Sequence, residues 1–515
     1  MNSYDFRDSQ LHAADRVLTS ESVPTESETT EAIRTVVIVG AGPAGLAAAR
    51  AARTRGANVT LLDASDYLGG QFWRHMPSSR PSAQERLLHH DWATYVSLRS
   101  ALENDSGCEI VTGAQVWALE AGGPAPVVHV LIGNADGAGR EGRSITADSL
   151  VFATGAHDRT LPFPGWDLPG VFTGGAAQAF AKGERVAIGN RVVVAGAGPF
   201  LLPVAASLAQ AGATVCGVYE ASKLTRMMRG WLYRPWQLLG AAKKSSEALG
   251  YLSNHLRNRI PYVTGTAVVE AHGTEKVEAV TVAKLDHNWR PIPGSEKTIK
   301  VDAVCVSHGF TPRIELPIAA GCAISPKRFV VVDEHQLSTV PGVFAAGEIT
   351  GIGGVDSALA EGTIAGHCAA GGLASDVELT KAVTARATFT AFASRIEAAH
   401  GIRLGWTKWL RDDTLICRCE EVSYSRVSDV AQLTTSPGLR SHKLSTRAGL
   451  GICQARVCGR TVEELLEAGD PTPPTHPRST GVAGTDRRPI VSPVRIGELA
   501  AATSIPQECP KKGQP

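Results

Sequence analysis

The sequence has no Cys-x-x-Cys pair, no apolar run of membrane-spanning length and no concentrated basic stretch. The first absence removes dithiol chemistry of the Cys-x-x-Cys kind. The second excludes a transmembrane helix. The third, with a net charge of +1, argues against nucleic acid as the main partner. Residues 1–33 are polar, rich in Ser, Thr and Glu, and lack the apolar core of a secretory signal, so they read as a disordered arm. Ten cysteines in 515 residues are too few for a disulfide scaffold and fit a reducing cytoplasm. Peripheral attachment to the inner membrane stays open.

Four of those cysteines are grouped: Cys417-Arg418-Cys419, then Cys453 and Cys458 after a gap of 33 residues. Two short pairs of soft, deprotonated sulfurs suit an iron–sulfur cluster. The Cys-x-Cys spacing is unusual for a zinc finger, and a structural zinc site is the other reading. The remaining cysteines are scattered. Cys108, Cys216, Cys305, Cys322 and Cys368 sit beside small or apolar neighbours and read as core residues, whereas Cys509 lies in a Pro/Lys-rich tail.

Thr35–Val39 is a short β-branched run followed by Gly40-Ala41-Gly42-Pro43-Ala44-Gly45 and an alanine-rich segment. This is strand, G-x-G-x-x-G, helix. Gly40 serves the tight turn, Gly42 the approach of a pyrophosphate, and Gly45 close packing of helix on strand. The helix N-terminus offers N–H groups to phosphate. A second strand, Asn58–Leu62, ends at Asp63, placed to bind a ribose hydroxyl pair. The pattern repeats at Arg191–Ala195, with Gly196-Ala197-Gly198-Pro199-Phe200-Leu201 and an acid, Glu220, after Thr214–Tyr219. Here Leu201 replaces the third glycine, which predicts a helix farther from the strand or tilted. An acid at 220 favours NAD(H) over NADP(H). Binding of NAD(H) or another adenine nucleotide stands beside a purely structural role for this second domain.

Three further segments carry a resemblance: Leu150–His157 with Ala153-Thr154-Gly155, Pro341–Glu348 ending in Gly347-Glu348, and Gly69-Gly70-Gln71. They resemble the two-dinucleotide-domain flavoproteins of the disulfide reductase type. That resemblance implies FAD in the first site, with Gly70, Gln71, Gly155, Gly347 and Glu348 near it. Glu348 stands where the family usually has Asp. The cysteine module, about 412–469, resembles 2Fe-2S domains of the bacterioferritin-associated ferredoxin type. Arg418, Lys443, Arg447, Arg456 and Arg460 flank its cysteines and would stabilise a negatively charged cluster. Thr461-Val462-Glu463-Glu464 reads as a capping box opening a short helix that Gly469 ends.

Taken together, residues 34–500 are similar to the A subunits of multi-subunit amino-acid-oxidising dehydrogenases. These include subunits of opine oxidase, hydrogen cyanide synthase, and hydroxyproline and proline dehydrogenases. Gly69-Gly70-Gln71-Phe72-Trp73-Arg74, Cys417-Arg418-Cys419-Glu420-Glu421 and Thr446-Arg447-Ala448-Gly449 carry the likeness. The expected fold is α/β, with two Rossmann-like domains and a small C-terminal helical 2Fe-2S domain. The expected boundaries are 34–158 and 301–374 for a discontinuous FAD domain and 159–300 for an inserted NAD-binding-like domain. A helical linker at 375–411, the cluster domain at 412–469 and a Pro-rich tail at 470–515 complete the chain.

The resemblance implies a catalytic B subunit similar to D-amino-acid oxidases, with a small ferredoxin-like subunit and an interfacial FMN also open. Two other readings remain at this point: a self-contained NADH-dependent reductase and a non-catalytic scaffold. No nucleophile–base pair stands out. His157 and His308 end strands near the expected flavin and read as structural.

Overall fold

The computed structural model describes residues 33–77, 85–120, 124–233, 250, 257–433, 439–468, 484–488 and 490–502. The N-terminal arm, Gly469 and Cys509 lie outside them. The two β-branched runs that precede the glycine turns each become the middle of a parallel sheet. In the first sheet the order is Val343–Ala345, Ser149–Phe152, Thr35–Val39, Asn58–Leu62 and Cys108–Val111. In the second it is Tyr262–Thr264, Thr214–Glu220, Arg191–Gly196, Ala303–Ser307 and Val171–Thr173. Every pairing in both sheets is parallel. Helices cover both faces, so the central strands bury nearly every side chain and read as unbroken apolar runs. Each domain also carries a three-stranded antiparallel sheet, Ala114–Glu120 to Glu141–Ile145 in the first and Thr266–His272 to Lys297–Lys300 in the second.

One expected boundary moves. The strand Ala303–Ser307 pairs with Arg191–Gly196 and belongs to the second sheet, so the return to the first domain follows Ser307 and does not begin at 301. The reason is burial: Ala303, Val304 and Cys305 are fully enclosed and complete that domain's core. The two crossings, Ala156–Asp158 and Phe310–Pro312, run antiparallel side by side.

The linker forms a helix, Thr380–His400, and a 3-10 turn, Leu404–Trp409. The cysteine module has a hairpin (Leu415–Cys417 with Val422–Ser423) and helices Tyr424–Leu433, Leu439–Thr446 and Gly459–Ala468. The last helix begins two residues before Thr461, so Thr461 is a helical residue and not a cap. Part of the expected tail is folded. Val491 and Ser492 bond the Trp117 and Val116 backbone at 2.8 and 2.9 Å, and the helix Ile496–Ala502 is tied to Arg140 through Glu498. No helix among the described residues is long and apolar enough to cross a membrane.

Candidate functional site

At the first glycine turn, separate segments meet. Gly40 has φ +104°, and a Cβ there would overlap the Ala153 carbonyl. A Cβ on Gly45 would overlap the Gly40 carbonyl, which keeps the helix Pro43–Thr54 close to its strand. Gly69 N–H donates to the Ala41 carbonyl at 2.8 Å, and a Cβ on Gly70 would stand 2.9 Å from Gly42 Cα. Gly347 abuts Ala44 of the same helix. The structure thus brings together Gly40, Gly42, Gly45, Gly70 and Gly347. Asp63 accepts from Ala41 N at 2.6 Å and Ser65 N at 2.7 Å and retains a small solvent opening. Gln71 is exposed beside Gly70, and Gly155 stands at the start of the domain crossing with open space about it.

Glu348 is half-buried, and its Oε1 accepts from Gly354 N at 2.9 Å, capping the helix Val355–Ala369. Burial raises its pKa to about 7; the Glu361 charge adds to this and the Gly354 hydrogen bond opposes it. The longer side chain therefore spends one oxygen on its own helix terminus.

The second turn differs. A Cβ on Gly196 would overlap the Ser307 carbonyl, so this glycine is required by the neighbouring strand. The helix after it begins at Leu201, three residues past Gly198, whereas the first helix begins one residue past Gly42. Leu201, at the first residue of that helix, is buried. Glu220 is fully enclosed. Its carboxylate accepts from Gly198 N and Ser222 N, both at 2.8 Å, and Oε2 also meets His400 Nδ1 at 3.2 Å. Trp231 Nε1 holds the other face of His400 at 3.1 Å. Ala197 and Ala221, flanking the turn and the acid, lie in one cluster with Trp289, Trp406 and Trp409. Both carboxylate oxygens of Glu220 are thus engaged within the protein.

The four grouped cysteines converge in two pairs. The Cys417 thiol is held below its ordinary range, to about 6, by a hydrogen bond from Cys458 and by backbone N–H groups including Gly449. Cys419 contacts Cys453. Cys458 also interacts with Cys453 and Cys419, so the four thiols share one neighbourhood. Four soft sulfurs brought together from two loops can hold a metal centre. The loops are shaped for this approach. Gly451 lies so close to Cys419 that a Cβ would overlap it, and Glu421, Arg447, Gln454 and Ala455 all have positive φ. Such strained backbone clusters at functional sites. Cys417 and Cys458 face inward, and Cys419 is exposed.

The module is clamped to the first domain's crossing. His157 Nε2 meets the Arg456 carbonyl at 2.9 Å. Arg159 donates to Thr461 Oγ1 at 2.7 Å and to Glu464 at 2.8 Å. Arg456 pairs with Glu315 at 3.0 Å, and Arg328 pairs with Glu463 and Asp486. The basic residues expected near the sulfurs are thus largely engaged elsewhere. Arg447 pairs with Glu420, Arg460 with Glu464, and Arg418 lies over the Trp166 ring at 5.2 Å. His308 is not at the first site; it packs near Trp289 and Trp409, and burial lowers its pKa to about 3.

Sequence reasoning missed Lys182. It lies in a π-helical turn, Phe180–Glu184, close to the Gly69–Arg74 segment. Its ammonium sits 5.9 Å from the Phe72 ring, and burial, followed by the Arg185 charge, lowers its pKa to about 8. Nothing in the local sequence marks it, because a π-turn has no composition signature.

Residues 34–362 match the pyridine nucleotide-disulphide oxidoreductase family. The opine oxidase A subunit of Rhizobium meliloti is 31% identical over 503 residues, covering 94% of this chain and 90% of that one. The hydrogen cyanide synthase subunit HcnB of Pseudomonas aeruginosa is 32% identical over 437 residues, covering 82% and 90%. The chain belongs to this family of opine oxidase A and HcnB subunits. It is therefore a flavoprotein-type oxidoreductase component of a multi-subunit complex. The crystal structure of L-proline dehydrogenase from P. horikoshii shares the fold, with TM-score 0.58 and 22% identity over 91% of this chain and 79% of that one.

Proposed function

We propose that this chain is the electron-relaying subunit of a heteromeric amine-oxidising complex. FAD is held by the first glycine turn, Asp63, Gly70 and the Gly347–Glu348 end, and a 2Fe-2S cluster by Cys417, Cys419, Cys453 and Cys458. A flavin accepts two electrons and releases them singly, and a 2Fe-2S centre holds one. The supporting observation is the single hydrogen bond from His157 to the Arg456 carbonyl, which joins the cysteine loop to the strand that leaves Gly155. The residues of this chain shield the inner thiols, fix the loop against the first domain and leave Cys419 at the surface.

The substrate is oxidised on a separate subunit similar to D-amino-acid oxidases. There a secondary amine such as an opine would give a hydride from the carbon beside nitrogen to that subunit's own flavin and its N–H proton to solvent, which leaves an imine. Water then cleaves the imine to an amino acid and a 2-oxo acid. The relay reading is favoured over a self-contained NADH reductase by the enclosure of Glu220 under His400. A ferredoxin-like subunit and an interfacial FMN belong to the same proposal.

Co-purification from the native host, with flavin extraction and metal analysis, tests it. A heteromer carrying FAD and two irons per copy of this chain supports the reading. A lone chain with zinc and no flavin overturns it. In Cys419→Ser the cluster's paramagnetic signal should vanish while flavin stays bound. An unchanged spectrum contradicts the ligand assignment.

A further inference from the structure

Lys182 has no part in the cofactor sites described above, yet its surroundings are unusual for a lysine. Thr173 caps the short helix Gly174–Ala179, its Oγ1 accepting from Ala176 N at 3.0 Å, and that helix runs directly into the π-turn Phe180–Glu184. Such turns are frequent at functional sites. The turn packs on the Gly69–Arg74 segment: a Cβ on Gly183 would stand 3.4 Å from Arg74 Cγ. Lys182 is 7% exposed, and its ammonium lies 5.9 Å from the Phe72 ring. Phe72 stands two residues beyond Gly70, which abuts Gly42 of the first glycine turn.

The charges around Lys182 leave it unneutralised. Arg185 is paired with Glu85 at 2.5 Å. His89 stands 3.0 Å from the same carboxylate. Burial, followed by the Lys182 and Arg185 charges, lowers the His89 pKa to about 3, so the ring is neutral at physiological pH. Arg74 is exposed, where water and salt screen its charge. Lys182 itself has no hydrogen-bond acceptor and no carboxylate partner among the described residues. With its pKa at about 8 it is mostly protonated at neutral pH. A desolvated ammonium without a partner opposes folding, and packing alone would be served as well by methionine. Retaining the charge calls for an anion that forms nearby in the working protein.

On the reading that the first turn holds FAD, that anion is available. A flavin that takes up two electrons and one proton gains one negative charge. At an effective dielectric of about 20, a unit charge roughly 10 Å away biases that uptake about tenfold. We propose that Lys182 is the charge that raises the affinity of the bound flavin for electrons. The inference rests on the FAD assignment above and adds to it the residue that sets how strongly this chain draws electrons from the substrate-oxidising subunit.

Full-length, flavin-loaded protein equilibrated anaerobically with a reference redox dye tests this. Lys182→Met and Lys182→Gln remove the charge and keep most of the volume; Lys182→Arg keeps the charge. The expected result is a fall of about tenfold in the equilibrium constant for flavin reduction in the Met and Gln variants. Affinity for oxidised FAD, read by flavin fluorescence, should stay within about threefold of wild type. Lys182→Arg should hold the reduction constant within the same margin. Absorbance during acidification should show the reduced flavin taking its second proton at lower pH in wild type than in Lys182→Met. Unchanged reduction in the charge-removing variants with flavin bound, or an equal fall in Lys182→Arg, overturns the proposal and leaves the FAD assignment standing. A wild-type chain that takes up no flavin overturns both.

Discussion

Arg159→Ala probes the clamp between the cysteine module and the first domain. The Arg159 side chain is 2% exposed and donates to Thr461 Oγ1 and Glu464. Burial lowers its pKa to about 10, so it stays charged at neutral pH. Truncation leaves the buried Thr461 hydroxyl and one oxygen of the partly buried Glu464 without this donor, and leaves a cavity. Removing one partner of a buried ion pair costs about 3–5 kcal/mol. Glu464 is 20% exposed and keeps Arg460 at 3.1 Å, which places the expected loss near the lower end, about 3 kcal/mol. Arg159→Met fills the volume without the charge. It strands the same two acceptors, so it should still lose about 2–3 kcal/mol, less than alanine by the cavity that methionine fills. Urea unfolding followed by visible absorption and by tryptophan fluorescence measures both. Trp166 reports the same contact, since its indole N–H bonds the Leu415 carbonyl at 2.6 Å. A change below about 0.5 kcal/mol in both variants would refute the clamp, because surface pairs contribute at that level.

Gly42→Ala has room within the protein, the nearest atom to its Cβ being Gly70 Cα at 3.9 Å. It should leave the apoprotein's melting temperature unchanged but lower FAD affinity at least about tenfold, read by flavin fluorescence, because the cradle itself is filled. Glu348 has its folded pKa raised from 4.5 to about 7, so its contribution favours the fold below the lower value and is lost as pH rises through the upper one. Glu348→Gln should therefore gain in melting temperature over the wild type as pH rises; parallel pH profiles would contradict this. NADH added to the flavin-loaded chain should not bleach the flavin promptly, since His400 holds Glu220. Prompt bleaching would restore the reductase reading.

The first site was legible because its requirements are local. A strand, three glycines and an acid at fixed spacing state a backbone path, and Gly40, Gly45 and Asp63 fill those places. The second site was only half legible. Leu201 announced a displaced helix, but the closure of Glu220 comes from His400, separated by 180 residues, and no spacing rule reaches that far. The strand at 303–307 was recognised but assigned to the wrong domain. A buried parallel strand reads the same in either sheet, and only its pairing decides. The four cysteines were visible as a group, whereas the positive φ of Arg447, Gln454 and Ala455 in the loops around them has no sequence signal, since none is a glycine. The flanking arginines were visible too, but their partners Glu315, Glu420 and Glu464 are chosen by docking. Lys182 had no sequence signal, because its turn meets the Gly69–Arg74 segment only in the folded chain.

The central claim is that the four thiols hold a one-electron centre beside a flavin. Electron paramagnetic resonance of the dithionite-reduced, purified protein, with iron and zinc quantified on the same sample, tests it most directly. The account predicts two irons per chain and a single spin-half signal integrating to about one spin. One zinc per chain with no paramagnetic signal would contradict it.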